Sequence, residues 1–410
     1  MSKQEKKALV PVLRFPEFRD AGEWEEKPLA PYIELYSERV SSNTELEIYS
    51  STREGLKPQS EYYNGRNLVN DGEYGVVPNG YFVYRHMSDD DVFKFNLNQL
   101  GKKIAVSKEY PVFKAVNLDA RFLLNKLNEG QEFKSFAVRQ KKGGTRTRLY
   151  FNTLRTFESF IPTFEEQQKI ADCLTSVDEL ITAQTQKIDA LKAHKKGLMQ
   201  QLFLAEGETV PKLRFPEFRD KKEWVEEPLG KLCSYENGKA YEQDITENGR
   251  YIVVNSRFIS TDGAVRKYTN AEYLIADAGD VLMVLSDLPK GKALAKCYFV
   301  ETNDRYAINQ RVCRLKANRV DAKFLFYILN RNSQLLAFDD GLNQTHLSKT
   351  AVLECSLYVP QKREEQQRIA ACLTSVDELI AAQTQKLDAL KAHKKGLMQQ
   401  LFPVMDEVVG

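Results

Sequence analysis

No stretch of this 410-residue chain is apolar for long enough to cross a bilayer as a helix, which takes roughly 20 residues in a row. The opening residues MSKQEKK are charged and no apolar segment follows them, so no secretory signal and no membrane partner are expected. The six cysteines lie far apart and none forms a CxxC pair. They read as free thiols of a cytoplasmic protein. The four histidines have no metal-ligand spacing: His194 and His393 are copies of each other, and His86 and His346 stand alone. GxGxxG, HExxH and GxSxG are missing, as is the Asn/Asp-Pro-Pro-Tyr/Phe motif of amino-methyltransferases. Residues 289–293, PKGKA, lack the full phosphate loop. The chain therefore offers no catalytic chemistry of its own. A net charge of +2 neither announces nor excludes a nucleic-acid partner, because acidic surface elsewhere can offset a basic face.

What the chain does have is a long repeat. Residues 165–203, EEQQKIADCLTSVDELITAQTQKIDALKAHKKGLMQQLF, return at 364–402 with four changes: Lys169/Arg368, Asp172/Ala371, Thr182/Ala381 and Ile188/Leu387. Neither copy contains proline, and good helix formers dominate both. Ile170, Leu174, Val177, Ile181, Gln184, Ile188, Leu191, Lys195, Leu198 and Leu202 alternate steps of four and three, which puts them on one seam of a helix. At 1.5 Å per residue such a helix is roughly 58 Å long. A lone helix cannot bury that seam, so the second copy is the expected partner. The expectation is an antiparallel intrachain coiled coil with one domain at each end, its register set by the polar seam positions Gln184/Gln383 and Lys195/Lys394.

The repeat extends beyond the helix. Residues 10–20, VPVLRFPEFRD, with Trp24 and Pro28-Leu29, recur at 210–220 with Trp224 and Pro228-Leu229. Phe15, Phe18 and their copies read as packing against a helix end, or else as a docking surface. The regions between share a sparser skeleton. LDARFL at 118–123 matches VDAKFL at 320–325, and Thr147-Arg148-Leu149 matches Thr345-His346-Leu347. YIVVN (251–255), VLMVL (281–285) and RVCRL (311–315) read as buried strands, and 322–338 as a helix. The fold class is therefore α+β, with two mixed α/β domains of one fold, separated by the antiparallel helices in a pseudo-two-fold repeat. The expected boundaries are 1–160 for the first domain, 161–204 for the central helix, 205–359 for the second domain and 360–410 for the last helix. Near-identical helices joining diverged domains suggest a constant scaffold carrying two variable readers.

Residues 133–155 carry Lys134, Arg139, Lys141, Lys142, Arg146, Arg148 and Arg155 and no acidic residue. This loop is the strongest local charge feature. Its lysines and arginines have the chemistry to neutralise phosphates, and Arg146 or Arg148 that to reach a guanine edge. The Thr145 and Thr147 hydroxyls suit phosphate oxygens. A solvated basic loop is the plainer reading. In the second domain the equivalent loop contains Asn343, Gln344, Thr345, His346 and Lys349, where Asn343 and Gln344 fit adenine, or Asn343 simply makes a turn. Arg53 and Arg257 each follow a strand-like run and are further candidates. Asp89, Asp90 and Asp91 read as a polar loop.

The pattern resembles the specificity subunit of type I restriction–modification systems over nearly the whole chain. The resemblance rests on the paired helices opening EEQQ(K/R)IA after Ile-Pro or Val-Pro, on the half-repeat, on AINQ at 307–310, and on the Gly–Thr–Leu stretch before each helix. Gly341–Leu347 follows the Gly-x-x-Gln-x-x-Leu pattern, and GGTRTRL in the first domain departs from it. The resemblance implies a non-catalytic subunit in which two domains each read half of an asymmetric, split site on double-stranded DNA. It also implies that the long helices dock two methyltransferase subunits, that motor–nuclease subunits complete the complex, and that S-adenosylmethionine, ATP and Mg²⁺ belong to those partners. Two rival readings remain at this point. One is a coiled-coil adaptor with paired protein-binding domains; the other is a self-contained nuclease or methyltransferase, which the missing motifs disfavour.

Overall fold

A computed structural model describes residues 8–63, 72–141, 145–205, 207–288 and 291–403. The chain divides into two compact units: Met1–Gln186 together with Gln385–Gly410, and Lys187–Thr384. The division cuts each long helix, so each unit takes half of both helices into its own body.

The repeated sequences form continuous helices, Phe164–Leu202 and Arg363–Leu401, each beginning and ending one residue before the repeated stretch, 165–203 or 364–402. In the first unit, Ile170, Ala171 and Leu174 of the central helix share a core with Met398, Leu401 and Phe402. Further along, Asp178 pairs with Lys394 at 2.7 Å. Numbers rise on one helix as they fall on the other, so the two run antiparallel. The second unit repeats the arrangement, with Leu202 beside Ile369 and Leu373 and Lys195 on Asp377 at 2.6 Å. The seam lysines thus appear as ion pairs at copied positions, and Gln184 is buried on the seam.

The LRFPEF segment explains itself through a buried fork. Arg14 donates from both Nε and Nη2 to Glu166 at 2.8 and 2.7 Å, and Trp24 Nε1 donates to the same carboxylate at 3.2 Å. Arg214, Glu365 and Trp224 repeat this at 2.8, 2.8 and 3.2 Å. The next residue of the EEQQ motif works on the other side. Gln167 accepts the Asp119 backbone N–H at 2.9 Å, and Gln366 that of Asp321 at 2.7 Å. Asp119 and Asp321 in turn cap the helices Ala120–Glu129 and Ala322–Leu329. Phe15 and Phe215 lie against the long helices under Lys169 and Arg368, as the packing reading expected.

Each unit holds a four-stranded antiparallel sheet of the same order. In the first unit the order is Phe95–Leu97, Phe82–Tyr84, Val112–Ala115, Ile33–Tyr36. In the second it is Cys297–Phe299, Val281–Val284, Val312–Ala317, Cys233–Asn237. One fold therefore occurs twice, filled differently. The first core is aromatic, with Phe82 stacked on Phe113 at 4.8 Å, whereas Val281, Met283, Leu285 and Leu315 line the second. The second unit also has a mixed sheet in which Tyr251–Val254 runs parallel to Tyr306–Ile308. The helix expected over 322–338 is broken. It stops at Leu329, Arg331 turns left-handed at φ +62°, and a second turn starts at Ser333. At the break Asn330 accepts the N–H of Cys297 in a neighbouring strand, and Asn332 caps the second turn by accepting the Gln334 N–H. All six cysteines are free, and burial pushes the Cys233 and Cys355 thiols up to about 12 and about 11, as suits packing residues.

Candidate nucleic-acid interface

In each unit a two-residue ribbon carries the matched Thr-x-Leu sequence. Thr147–Arg148 pairs antiparallel with Met87–Ser88, and Thr345–His346 pairs antiparallel with Ser286–Asp287. Alternation along a strand sends neighbours to opposite faces. Thr147 and Leu149 are buried while Arg148 points out, and His346 points out beside buried Leu347. The inward threonines are held by carboxylates. Thr147 donates to Asp91, and Thr345 to Asp339 at 3.3 Å. Of the two threonines read as phosphate ligands in the first domain, then, Thr145 is exposed and Thr147 is committed inward.

Around the first ribbon the fold gathers residues distant in sequence. Arg53 sits at the tip of the hairpin formed by Tyr49–Thr52 and Gly55–Pro58. Lys141 follows the helix Gln131–Val138, and Arg146 leads into the ribbon. The three acidic residues read as a polar loop meet all three cations. Arg146 Nε donates to Asp89 at 2.7 Å, Arg53 to Asp90, and Lys141 to Asp91 at 3.2 Å. Asp91 adopts φ +62°, which turns the triplet sharply enough to present its carboxylates to different partners. The hydrogen bond from Arg53 lowers the Asp90 carboxyl to about 2. The bond from Thr147, and then that from Lys141, lowers Asp91. A polar concavity of about 360 Å³ opens beside this cluster, lined by Arg53, Arg85, Asp89 and Lys94. Arg139 and Arg148 are exposed and make no ion pair with any described residue. Lys142 lies outside the described residues. Tyr84 is fully buried with its hydroxyl on the Leu149 carbonyl at 3.0 Å, and His86 stacks on Tyr150, which leaves Arg85 as the outward member of that trio.

At the second ribbon Asp287, Asp339, Asp340, Arg257 and Lys349 form no ion pair with one another, and amide and hydroxyl bonds dominate. Gln344 donates to Ser286 Oγ at 3.0 Å, and Asn343 donates to Asp340 at 3.2 Å within a turn, as its plainer reading expected. Asp340 is lowered by the backbone N–H groups of Asn343 and Leu342 that it accepts. Arg257 lies in the short helix Ser256–Ser260, tied to this ribbon through Ser256 Oγ at 3.5 Å from the Ser286 carbonyl. Lys349 lies over the Tyr235 ring at 5.5 Å. Two apolar side chains flank the ribbon, Leu342 at 80% and Leu288 at 70% exposure. Among the described residues no cluster of His, Cys, Asp or Glu could hold a metal ion, and no helix is long and apolar enough to cross a membrane.

The arrangement is suited to hydrogen bonding and ion pairing with an extended partner, and it brings most candidates to one ribbon in each unit. Sequence reasoning missed the acidic triplet as an organiser of the first ribbon, as well as Lys94, whereas Tyr84-Arg85-His86 reads from the sequence as a second reading edge or as a structural aromatic with a surface arginine. The available signal was charge complementarity between an all-acidic and an all-basic loop.

Comparison with known proteins matches the profile of the Type I restriction modification DNA specificity domain to residues 39–193 and again to 221–392. The MjaVIII type I restriction enzyme specificity subunit of Methanocaldococcus jannaschii is 26% identical over 287 residues, which are 65% of this chain and 66% of that protein. The alignment thus stops just short of two thirds of the relative's length. The putative MjaX specificity subunit of the same organism is 23% identical, over 70% of this chain and 68% of its own. Among solved structures, the S subunit of a type I restriction-modification system from M. genitalium superposes with a TM-score of 0.60 at 14% identity, covering 97% of this chain and all of that one. A chain from a structure of type I R-M complex assembly and conformational transition gives 0.52 at 15%, covering 92% and 97%.

Proposed function

Since the chain belongs to the type I restriction modification DNA specificity family, with that domain present twice, we propose that it is the sequence-reading, non-catalytic subunit of a type I restriction–modification complex. One observation carries the reading at residue level. The same ribbon stands at the same place in both units, with its scaffold residues kept and its outward residues changed. Arg148 and His346 are that changed pair, and around them the first face is held by ion pairs and the second by amide and hydroxyl bonds. Two different faces read two different sequences, so the site is asymmetric and split. Arg53, Arg139, Lys141, Arg146 and Arg148 serve the first half-site. Arg257, Asn343, Gln344, His346 and Lys349 serve the second. The long helices carry the constant sequence and dock two methyltransferase subunits, to which motor–nuclease subunits are added. S-adenosylmethionine, ATP and Mg²⁺ act in those partners, and the complex works in the cytoplasm.

The test is to map methylated adenines in a genome before and after residues 221–359 are exchanged for another recognition domain. One half-site should change and the other stay. A single continuous palindrome, or alteration of both half-sites by the one exchange, would overturn the reading. A paired protein-binding adaptor would show no sequence selection on DNA at all.

A further inference from the structure

Arg146 and Arg148 both face outward from the first ribbon, but they are not equivalent. Arg148 has no acidic partner among the described residues. Arg146 is gripped at Nε by Asp89, at 2.7 Å, with both side chains largely exposed. Nε is one of five N–H donors on a guanidinium, so this single grip leaves the four on Nη1 and Nη2 free and restricts where they can swing. The Asp89 charge also cancels much of the long-range pull of Arg146 on phosphates without removing its directional donors. An arginine held this way suits a target that needs orientation more than charge. A guanine edge is such a target, with its O6 and N7 acceptors side by side in the major groove.

Resting on the DNA-reading function above, we propose that Asp89 is a positioning residue that aims Arg146 at a guanine in the half-site read by the first unit. Arg148 then serves the phosphate backbone. The acidic triplet acts as a filter: it lowers attraction to DNA in general and keeps preference for one base. Asp90 on Arg53 and Asp91 on Lys141 extend the same bracing around the polar concavity.

The experiment uses the full chain in its methyltransferase complex and a duplex library randomised across both half-sites. Base preference is read at every position, and affinity for one fixed random-sequence duplex is measured alongside. Arg146→Gln should abolish guanine preference at one base pair. Asp89→Ala should lower that same preference about tenfold, within the range for a lost bidentate contact. It should leave random-duplex affinity unchanged or raised, and Asp89→Glu should restore part of the preference. Arg148→Gln should weaken both duplexes alike. Preferences in the other half-site, read by the second unit, report folding in the same measurement. The proposal fails if Asp89→Ala leaves the guanine preference intact, if affinity for both duplexes rises with preference unchanged, or if every column in both half-sites flattens. It also fails if no guanine depends on Arg146. A wild-type complex that selects no sequence would instead overturn the DNA-reading function itself.

Discussion

The ribbons at Thr147–Arg148 and Thr345–His346 share a position, a pairing partner and an alternation, yet they present opposite chemistry. Around the first, Asp89, Asp90 and Asp91 each pair with a cation from a different part of the chain. Around the second, Gln344 and Ser286 make a neutral bond beside exposed Leu342 and Leu288. The difference teaches where the fold constrains its sequence. Inward positions pack against neighbours and keep their identity, Thr with Thr and Leu149 with Leu347. Outward positions pack against nothing and are free to differ. The same contrast holds at larger scale. The Arg–Glu–Trp fork is buried and copied, whereas the outward faces of the ribbons are not.

The copied parts should break alike. Glu166→Ala or Glu365→Ala leaves a buried arginine uncompensated, at about 3–5 kcal/mol in either unit. Denaturant unfolding measures this, and unequal losses would mean that the two forks do different jobs. The diverged parts should break differently. Arg148→Gln should weaken binding to any duplex and reduce the slope of log affinity against log salt by about one. Gln344→Ala should lose about 1–3 kcal/mol on the selected site alone and leave that slope unchanged. Affinities measured across a salt series separate the two, and equal salt slopes for both variants would erase the distinction between ionic and neutral faces. The smallest effect is on pH. The Asp90 carboxyl is held at about 2, below its ordinary 3.8, first by the Arg53 hydrogen bond. A depressed carboxylate contributes fully above 3.8 and loses its contribution as pH falls through about 2. The Arg53 hairpin should therefore stay clamped down to about pH 4 and loosen below it. Carboxyl chemical shifts followed by NMR through acid titration check this.

Much of the architecture was legible because it is periodic or repeated. The seam spacing gave the helices, and copied motifs gave two domains of one fold. The pairing of TR with TH at matched positions survived as matched ribbons. Other features depend on contacts across tens of residues, which local pattern does not carry. Asp89 meets Arg146, 57 positions away, so its local reading as a polar loop held no hint of that partner. Thr147 looked like a phosphate ligand until its strand phase turned it inward. The helix over 322–338 had the right periodicity, but the chain turns left-handed at Arg331 and Asn332 caps a separate turn.

The shared core of the first unit has a consequence for biosynthesis. Trp24 and Phe122 pack against Phe402, and the Leu13 N–H bonds the Gln400 carbonyl. On the ribosome, residues 8–161 emerge long before the segment that seals them. At 5–20 residues per second the wait is roughly 10–50 s. The second unit has no such wait at this place, because Leu202 and Phe203 are already made when Trp224 and Phe324 appear. Until the C-terminal helix is made, Trp24 and Phe122 lack the Phe402 ring that packs on them. That helix, made last, is the piece that closes the first unit.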